Sequence, residues 1–120
     1  MININSYKDL VVWKKAIRLV ILTYEIVKVL PKDEMYALSS QIRRAAVSVP
    51  SNIAEGHNRN SDKEFCHFLR IARGSLAELE TQLIIANELG YADKDTISDV
   101  LEKCDEVSKM LNALINKTKG

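Results

Sequence analysis

Apolar residues recur along this chain in four blocks, and within each block they are spaced three or four residues apart. This spacing places them on one face of an α-helix, whereas a half-buried strand alternates every second residue. Pro31, Gly56 and Gly90 end the first three blocks, and these residue types commonly terminate helices. The sequence therefore predicts an all-α fold, with helices over about residues 9–30, 33–56, 61–89 and 93–117.

Short connections between the blocks predict how the helices are arranged. Loops of a few residues make consecutive helices antiparallel neighbours, so we expect an antiparallel up-down-up-down four-helix bundle. A chain of 120 residues has the length of one domain, and we expect a single domain over residues 1–120. An all-β fold is disfavoured, because 4 glycines and 2 prolines supply too few turn residues.

Local residues give the expected ends and interruptions of two helices. Asp33 is the candidate cap of the second helix, and Ser61 with Glu64 forms a capping box before the third. Pro50 lies inside the second block, and the helical spacing continues through it. We expect this helix to continue with a kink at Pro50. The alternative is that it stops at Val49 and restarts at the proline.

Small residues on the second and third helices predict close packing between them. If the two helices are centred on their turn, Arg43 lies near Gly74 and Pro50 lies near His67. Six small residues then face one another and let the backbones approach: Ala45, Ala46, Ser48, Ala72, Gly74 and Ser75. We therefore expect Gly74→Leu to overpack this contact.

Charge and hydropathy restrict location and partners. No stretch reaches 18 uninterrupted apolar residues, so we expect no membrane span and a cytoplasmic protein. The formal net charge is only +1, but residues 1–75 carry 12 Lys and Arg against 7 Asp and Glu. Residues 76–106 carry 2 against 9. Opposite charges separated in this way favour head-to-tail contacts between copies.

No recognised arrangement of catalytic or metal-binding residues is present. Cys66 and His67 are consecutive, so their side chains diverge by about 100° on a helix and cannot share a metal ion. Cys66 and Cys104 are expected to be reduced, because about 18 Å of bundle length separates them. Neither histidine lies in a catalytic motif, and no glycine-rich phosphate loop occurs. We expect no enzymatic activity, metal, cofactor or small-molecule substrate.

Residues 41–80 contain six basic side chains that are candidate nucleic-acid-binding residues: Arg43, Arg44, Arg59, Lys63, Arg70 and Arg73. At the register above, the first two lie at the same height as the last two, so the hairpin can follow a phosphate backbone. The alternative is ion pairing within the bundle, of Arg43 or Arg73 with Glu55, Glu78 or Glu80.

Three segments of the chain are similar to one known protein family. They are DLVVWKKA, LPKDEMYALSSQIRRAAVSVPSNIAEG and FCHFLRIARGSLAELETQL. A helical proline followed by Asn-Ile-Ala-Glu-Gly, and then Arg-Gly-Ser, makes the similarity specific. Over nearly its whole length the chain resembles the small bacterial four-helix-bundle proteins named after reading frames in intervening sequences of 23S ribosomal RNA genes.

The resemblance implies a left-handed bundle that assembles as a ring, typically a homopentamer. Related proteins accompany diversity-generating retroelements and bind nucleic acid through a basic surface, so RNA or DNA is an implied partner. The resemblance extends to four of the arginines above, which are Arg43, Arg44, Arg59 and Arg73. It also extends to seven structural motif residues: Pro50, Asn52, Glu55, Gly56, Gly74, Ser75 and Glu78.

The first helix has more apolar surface than a bundle helix needs. Its predicted central face consists of Trp13, Ile17, Val20, Tyr24 and Val27, and further apolar residues widen this face: Val12, Ala16, Leu19, Ile26 and Leu30. Four further apolar residues lie among charged ones and are candidate oligomer contacts: Val11, Ile21, Leu22 and Val29. We expect a non-enzymatic homo-oligomer that binds RNA or DNA through the second and third helices. The alternative is a structural or protein-interaction scaffold without nucleic-acid affinity.

Overall fold

The computed structural model describes residues 5–118, which form four α-helices and no β-strand. The helices are α1 (Val11–Val27), α2 (Leu38–Asn58), α3 (Asp62–Glu88) and α4 (Lys94–Thr118), and short 3-10 helices cover Tyr7–Asp9 and Lys32–Glu34. The prediction of an all-α fold is confirmed. Residues 1–4 and 119–120, the ends of the predicted domain, lie outside the described part.

The first turn of α2 differs from the prediction. Asp33 was expected to cap a helix that starts there, but it lies in the short 3-10 helix and α2 begins at Leu38. The cap comes from Glu34 instead, because the Leu38 backbone N–H donates to Glu34 Oε1 at 3.3 Å. A carboxylate at this position also interacts favourably with the positive, N-terminal end of the helix dipole. Because Asp33 and Glu34 are adjacent acidic residues, the sequence did not indicate which of them caps α2.

Other helix signals act as the sequence indicated. The helix runs unbroken through Pro50, so the alternative of a stop at Val49 is wrong. The Ser61 side chain accepts a hydrogen bond from the Glu64 backbone N–H at 3.4 Å and caps α3. Beyond α3, Gly90 adopts φ +76°, a left-handed conformation that glycine enters without steric cost.

The core-facing side of α1 is rotated relative to the predicted one. The buried residues of this helix are Val12, Ala16, Leu19, Thr23 and Ile26. Each precedes a member of the predicted central face by one position, which is a rotation of about 100°. All of them except Thr23 were predicted to widen that face. The predicted face lies beside α2 and is only partly buried, and Tyr24 is 40% exposed. Because both faces are apolar, periodicity alone did not distinguish them.

Contacts between α2 and α3 give their register. The Ser48 and Ser75 hydroxyls share a hydrogen bond of 2.8 Å, and Gly56 packs against Phe65 and Phe68. Residue numbers therefore fall along α3 as they rise along α2. The predicted register placed Leu69 opposite Ser48, so it is wrong by six residues of α3, or about 9 Å.

The glycine at the close approach is Gly56, and the prediction for Gly74 is wrong. A Cβ at position 56 would lie 2.6 Å from the Phe68 Cβ, a distance that real Cβ atoms essentially never show. Gly74 is exposed on α3, and a Cβ there would meet nothing within 4 Å. Gly74→Leu is accordingly not expected to overpack the contact between α2 and α3.

Both cysteines are free and buried, in agreement with the prediction that they are reduced. Burial raises the pKa of the Cys104 thiol to about 12, and the nearby Glu80 carboxylate contributes to the rise. A neutral, buried thiol is a poor nucleophile and a poor metal ligand. Cys104 therefore acts as a small apolar residue between α3 and α4.

Replacing the two glycines by alanine is expected to change stability in opposite directions. Gly56→Ala should lower the free energy of unfolding by about 1–3 kcal/mol, because the new methyl group overlaps Phe68. Gly74→Ala should raise it by about 0.5–1 kcal/mol, because alanine favours an exposed helix position. Chemical denaturation measures both values, and equal stabilities of the two variants would contradict the observed packing.

Alkaline conditions are expected to destabilise the fold partly through Cys104. In the unfolded chain a thiol loses its proton near pH 8.5, whereas the folded Cys104 keeps it until about pH 12. The contribution of this thiol is therefore complete below pH 8.5 or so and is lost as the pH rises. Unfolding between pH 8 and about 11 should show a smaller loss of stability for Cys104→Ala than for the wild type. Parallel curves for the two proteins would contradict the raised pKa.

Candidate nucleic-acid interface

The six predicted cations do not form one surface, and Arg59 illustrates why. Its guanidinium lies 3.6 Å from Glu55 and 3.9 Å from Glu64, and it also stacks 5.0 Å from the centre of the Phe68 ring. These partners belong to both α2 and α3. Arg59 therefore holds the connection between the two helices, and Glu55 from the structural motif neutralises it.

Two further arginines bond to groups within the bundle. Arg43 Nη2 donates to the backbone carbonyl of Met35 at 3.3 Å, and Arg73 Nη1 donates to Asn112 Oδ1 at 2.9 Å. The alternative of ion pairs between these arginines and Glu55, Glu78 or Glu80 is not found among the contacts of the described residues. Arg43 instead fastens the segment before α2, and Arg73 joins α3 to α4.

Three side chains of α3 remain together on its outer face. Lys63, His67 and Arg70 follow one another by four and three residues, which aligns them along the helix. All three are exposed, and together with Thr118 of α4 they line a cleft of about 660 Å³. Within residues 5–118, neither Lys63 nor Arg70 has a hydrogen-bond or ion-pair partner. We call these three residues the α3 stripe.

Gly74 continues the α3 stripe by one turn of helix. It follows Arg70 by four residues, and the space beside its backbone is open. An absent side chain allows another molecule to approach the helix backbone closely. This placement accounts for Gly74 better than the helix contact that the sequence suggested.

Arg44 lies apart from the α3 stripe and has an aromatic neighbour that sequence reasoning missed. It is exposed, and with Arg43, Tyr24 and Val47 it lines a cleft of about 390 Å³ between α1 and α2. Tyr24 was assigned to the central face of α1, so its position beside two arginines was not predicted. The phenol group of Tyr24 was the sequence feature that could have indicated this position, because a phenol is unusual on a core face.

Other motif residues fasten α2 to α3. The Asn52 amide donates to the Ser48 carbonyl at 2.8 Å and to the Ser48 hydroxyl at 2.9 Å. That hydroxyl is then free to donate to the Ser75 hydroxyl. Pro50 is buried in the same stretch of α2, and Glu78 lines the groove between the two helices. Asn52, Ser75 and Pro50 have structural positions, and none of these residues or Glu78 belongs to the α3 stripe.

The charge of α3 changes sign along its length. Glu80 lies in the second half of the helix, and its pKa is raised by burial and by repulsion from Asp105 of α4. Negative charge at that end disfavours phosphate there. Among residues 5–118, no three His, Cys, Asp or Glu side chains are grouped so that they could hold a metal ion.

The candidate oligomer contacts on α1 lie largely at the surface. Val11, Ile21 and Val29 are 55%, 49% and 64% exposed, whereas Leu22 is half-buried and packs against the core. None of the helices that the structure describes combines the length and apolar character needed to cross a lipid bilayer.

Comparisons with known proteins agree with this fold. Residues 8–113 match the family model of the 23S rRNA-intervening sequence protein. A crystal structure of a protein of unknown function from the S23 ribosomal protein family of Bacteroides thetaiotaomicron superimposes with a TM-score of 0.81 at 24% identity, covering 88% of this chain and 98% of that one. A search of curated proteins gives no match. Because the family model spans most of its length, the chain belongs to the 23S rRNA-intervening sequence protein family.

Proposed function

We propose that this protein is a non-enzymatic homo-oligomer that binds RNA or DNA through the α3 stripe. The supporting observation is that Lys63, His67 and Arg70 are exposed on one helical face and that both permanent cations lack a partner among residues 5–118. Surface cations that stabilised the bundle would be paired with nearby carboxylates, as Arg59 is. Unpaired cations aligned along a helix are available to an external anion.

The geometry of the α3 stripe suits a phosphate backbone. At 1.5 Å per residue, Lys63 and Arg70 are about 10 Å apart along the helix, which corresponds to about three phosphates of one strand. Each neutralised phosphate releases counterions, so binding through this surface depends steeply on salt. Contacts of these side chains with the phosphate backbone carry little sequence preference.

Arg44 adds a second, smaller basic surface on another side of the bundle. Its cleft contains Tyr24, and an aromatic ring beside an arginine is a common arrangement in proteins that bind single strands. Arg43, Arg59 and Arg73 contribute less in this proposal, because each guanidinium is already held by a partner within the bundle. The binding surface is therefore smaller than the six cations of the sequence suggested.

The proposal includes an up-down-up-down bundle that assembles into a ring, with the pentamer implied by related proteins. Contacts of α1 with both α2 and α4 support the closed bundle. Exposed apolar residues on α1 support assembly, because burying Val11, Ile21 and Val29 removes apolar surface from water. A ring also multiplies the α3 stripe, and several weak contacts give a much stronger combined affinity.

A scaffold without nucleic-acid affinity is the second candidate function. Its support is that Arg43, Arg59 and Arg73 all have partners within the chain. Under this alternative, the unpaired cations of the α3 stripe contact acidic groups of another protein or of a second copy. Binding measurements at low salt distinguish the two functions, since a scaffold is not retained on nucleic acid.

Removing the two permanent cations of the α3 stripe should weaken nucleic-acid binding. We expect Lys63→Ala/Arg70→Ala to reduce the slope of log affinity against log salt by about two for each stripe in contact. Lys14→Ala/Lys32→Ala is the matched control, because it removes the same charge from exposed positions elsewhere. Fluorescence anisotropy with an unstructured oligonucleotide measures both variants. Equal losses would contradict the assignment, and no wild-type binding at low salt would favour the scaffold.

Assembly through α1 should be sensitive to a charge on its exposed apolar face. Ile21→Lys is expected to lower the molecular mass of the oligomer in solution, because an unpaired ammonium group buried in the interface opposes association. Ile84→Lys is the control, since Ile84 is similarly exposed but lies on α3. Sedimentation equilibrium measures both masses. A monomeric wild type, or dissociation by the Ile84 change alone, would contradict this interface.

A further inference from the structure

The groove between α2 and α3 contains a polar cavity of about 360 Å³ that none of the roles above uses. Three pairs of facing residues line it in successive turns: Gln41 with Gln82, Arg44 with Glu78, and Ser48 with Ser75. Its volume is within the range of small-molecule sites. The pairs follow from the register that Gly56 sets near the end of α2.

Of the three facing pairs, only the one at one end of the cavity is joined by a hydrogen bond. Ser48 and Ser75 are hydrogen-bonded to each other, and Asn52 holds Ser48 in place. Arg44 and Glu78 line the same cavity, yet neither has a hydrogen-bond or ion-pair partner within residues 5–118. Opposite charges that face one space without meeting leave room for a group between them.

Gln82 gives an independent sign that the cavity receives a ligand. Its Oε1 atom is buried and accepts no hydrogen bond from the described residues. Leaving a buried acceptor unpaired is costly, and native proteins seldom tolerate it without a reason. A hydrogen-bond donor in the groove removes this cost when the Gln82 side chain turns its Oε1 atom toward the cavity that this residue lines.

The polar groups of the cavity define what can bind there. Glu78 and Gln82 Oε1 accept hydrogen bonds, whereas Arg44 donates them. A phosphate is excluded because it would lie against the Glu78 carboxylate, and a simple ammonium is excluded because it would lie against Arg44. The ligand that fits is a neutral group with two adjacent donors and an acceptor.

Among the nucleobases, guanine offers this pattern. Its N1–H and 2-amino groups are adjacent donors that match a carboxylate, and its O6 and N7 atoms are acceptors that arginine binds well. Adenine and cytosine have a single donor group, and uracil has a single N–H. We propose that the α2–α3 groove binds a guanine base between Arg44 and Glu78, with Gln82 Oε1 accepting from the base.

The base has two sources, a free nucleoside or nucleotide and an unpaired guanine in a strand. The second source rests on the proposed function, with the α3 stripe binding phosphates and the groove reading one base. The site would then add a base preference that the stripe alone lacks. The first source is independent of nucleic-acid binding.

Titration of the full-length protein with guanosine and inosine tests the site, because these nucleosides carry no phosphate. Isothermal calorimetry should show guanosine binding, and inosine, which lacks only the 2-amino group, should bind about tenfold more weakly. Glu78→Gln should abolish this preference, whereas Glu88→Gln, the same change on an exposed part of α3, should keep it. No guanosine binding, equal binding of both nucleosides, or equal effects of the two variants would overturn the proposal.

A second variant separates loss of the site from loss of folding. Gln82→Ala removes the unpaired acceptor, so it should weaken guanosine binding at least severalfold without lowering the midpoint of thermal unfolding. Unchanged guanosine affinity in this variant would overturn the role of Gln82. Weaker binding together with an unchanged or higher midpoint supports it.

Two further measurements show whether the guanine base comes from a free compound or from a strand. They also distinguish failure of this proposal from failure of the proposed function. Lys63→Ala/Arg70→Ala should retain guanosine binding, because the groove lies apart from the α3 stripe. If guanosine binds and strands containing guanine bind more tightly than strands lacking it, the base in a strand is the source. If guanosine binds without that preference, the site takes the free compound, and the groove proposal stands even if the stripe proposal fails.

Discussion

The close approach of α2 and α3 at Gly56 is the constraint on which the rest of the molecule depends. With no side chain at this position, the α2 backbone rests on Phe65 and Phe68. Because both helices are rigid, this one contact also fixes which residues face each other further along. It brings Ser48 to Ser75, and it places Arg44 opposite Glu78.

The same contact determines which cations are available. It places Arg59 over the Phe68 ring and near Glu64 of α3, while Glu55 pairs with Arg59 locally from one helical turn before it. Lys63 and Arg70 instead line a cleft beside Thr118 of α4 and form no ion pair with a carboxylate among residues 5–118. The difference between structural and available arginines is therefore a consequence of packing, since their chemistry is identical.

The fold and the functional proposals have different foundations. The four-helix fold is supported by two comparisons. The chain belongs to the 23S rRNA-intervening sequence protein family, and it superimposes on a solved S23-family structure. These comparisons assign no ligand. The nucleic-acid and guanine proposals come from polar groups that the bundle leaves unsatisfied, namely the α3 stripe and the Gln82 carbonyl. A buried acceptor without a partner is costly, whereas the exposed cations of the α3 stripe are hydrated and therefore available to an external anion.

The sequence by itself determined the number of helices, the passage of α2 through Pro50 and the turn at Gly90, because these features depend on residues close together in the chain. Tertiary structure decided which side of α1 is buried and how α2 and α3 are aligned. Both sides of α1 are apolar, so helical periodicity allowed two answers that differ by about 100°. The alignment follows from the fit of Gly56 to Phe68, a contact that no local pattern encodes, and it placed Arg44 opposite Glu78 instead of level with Arg73.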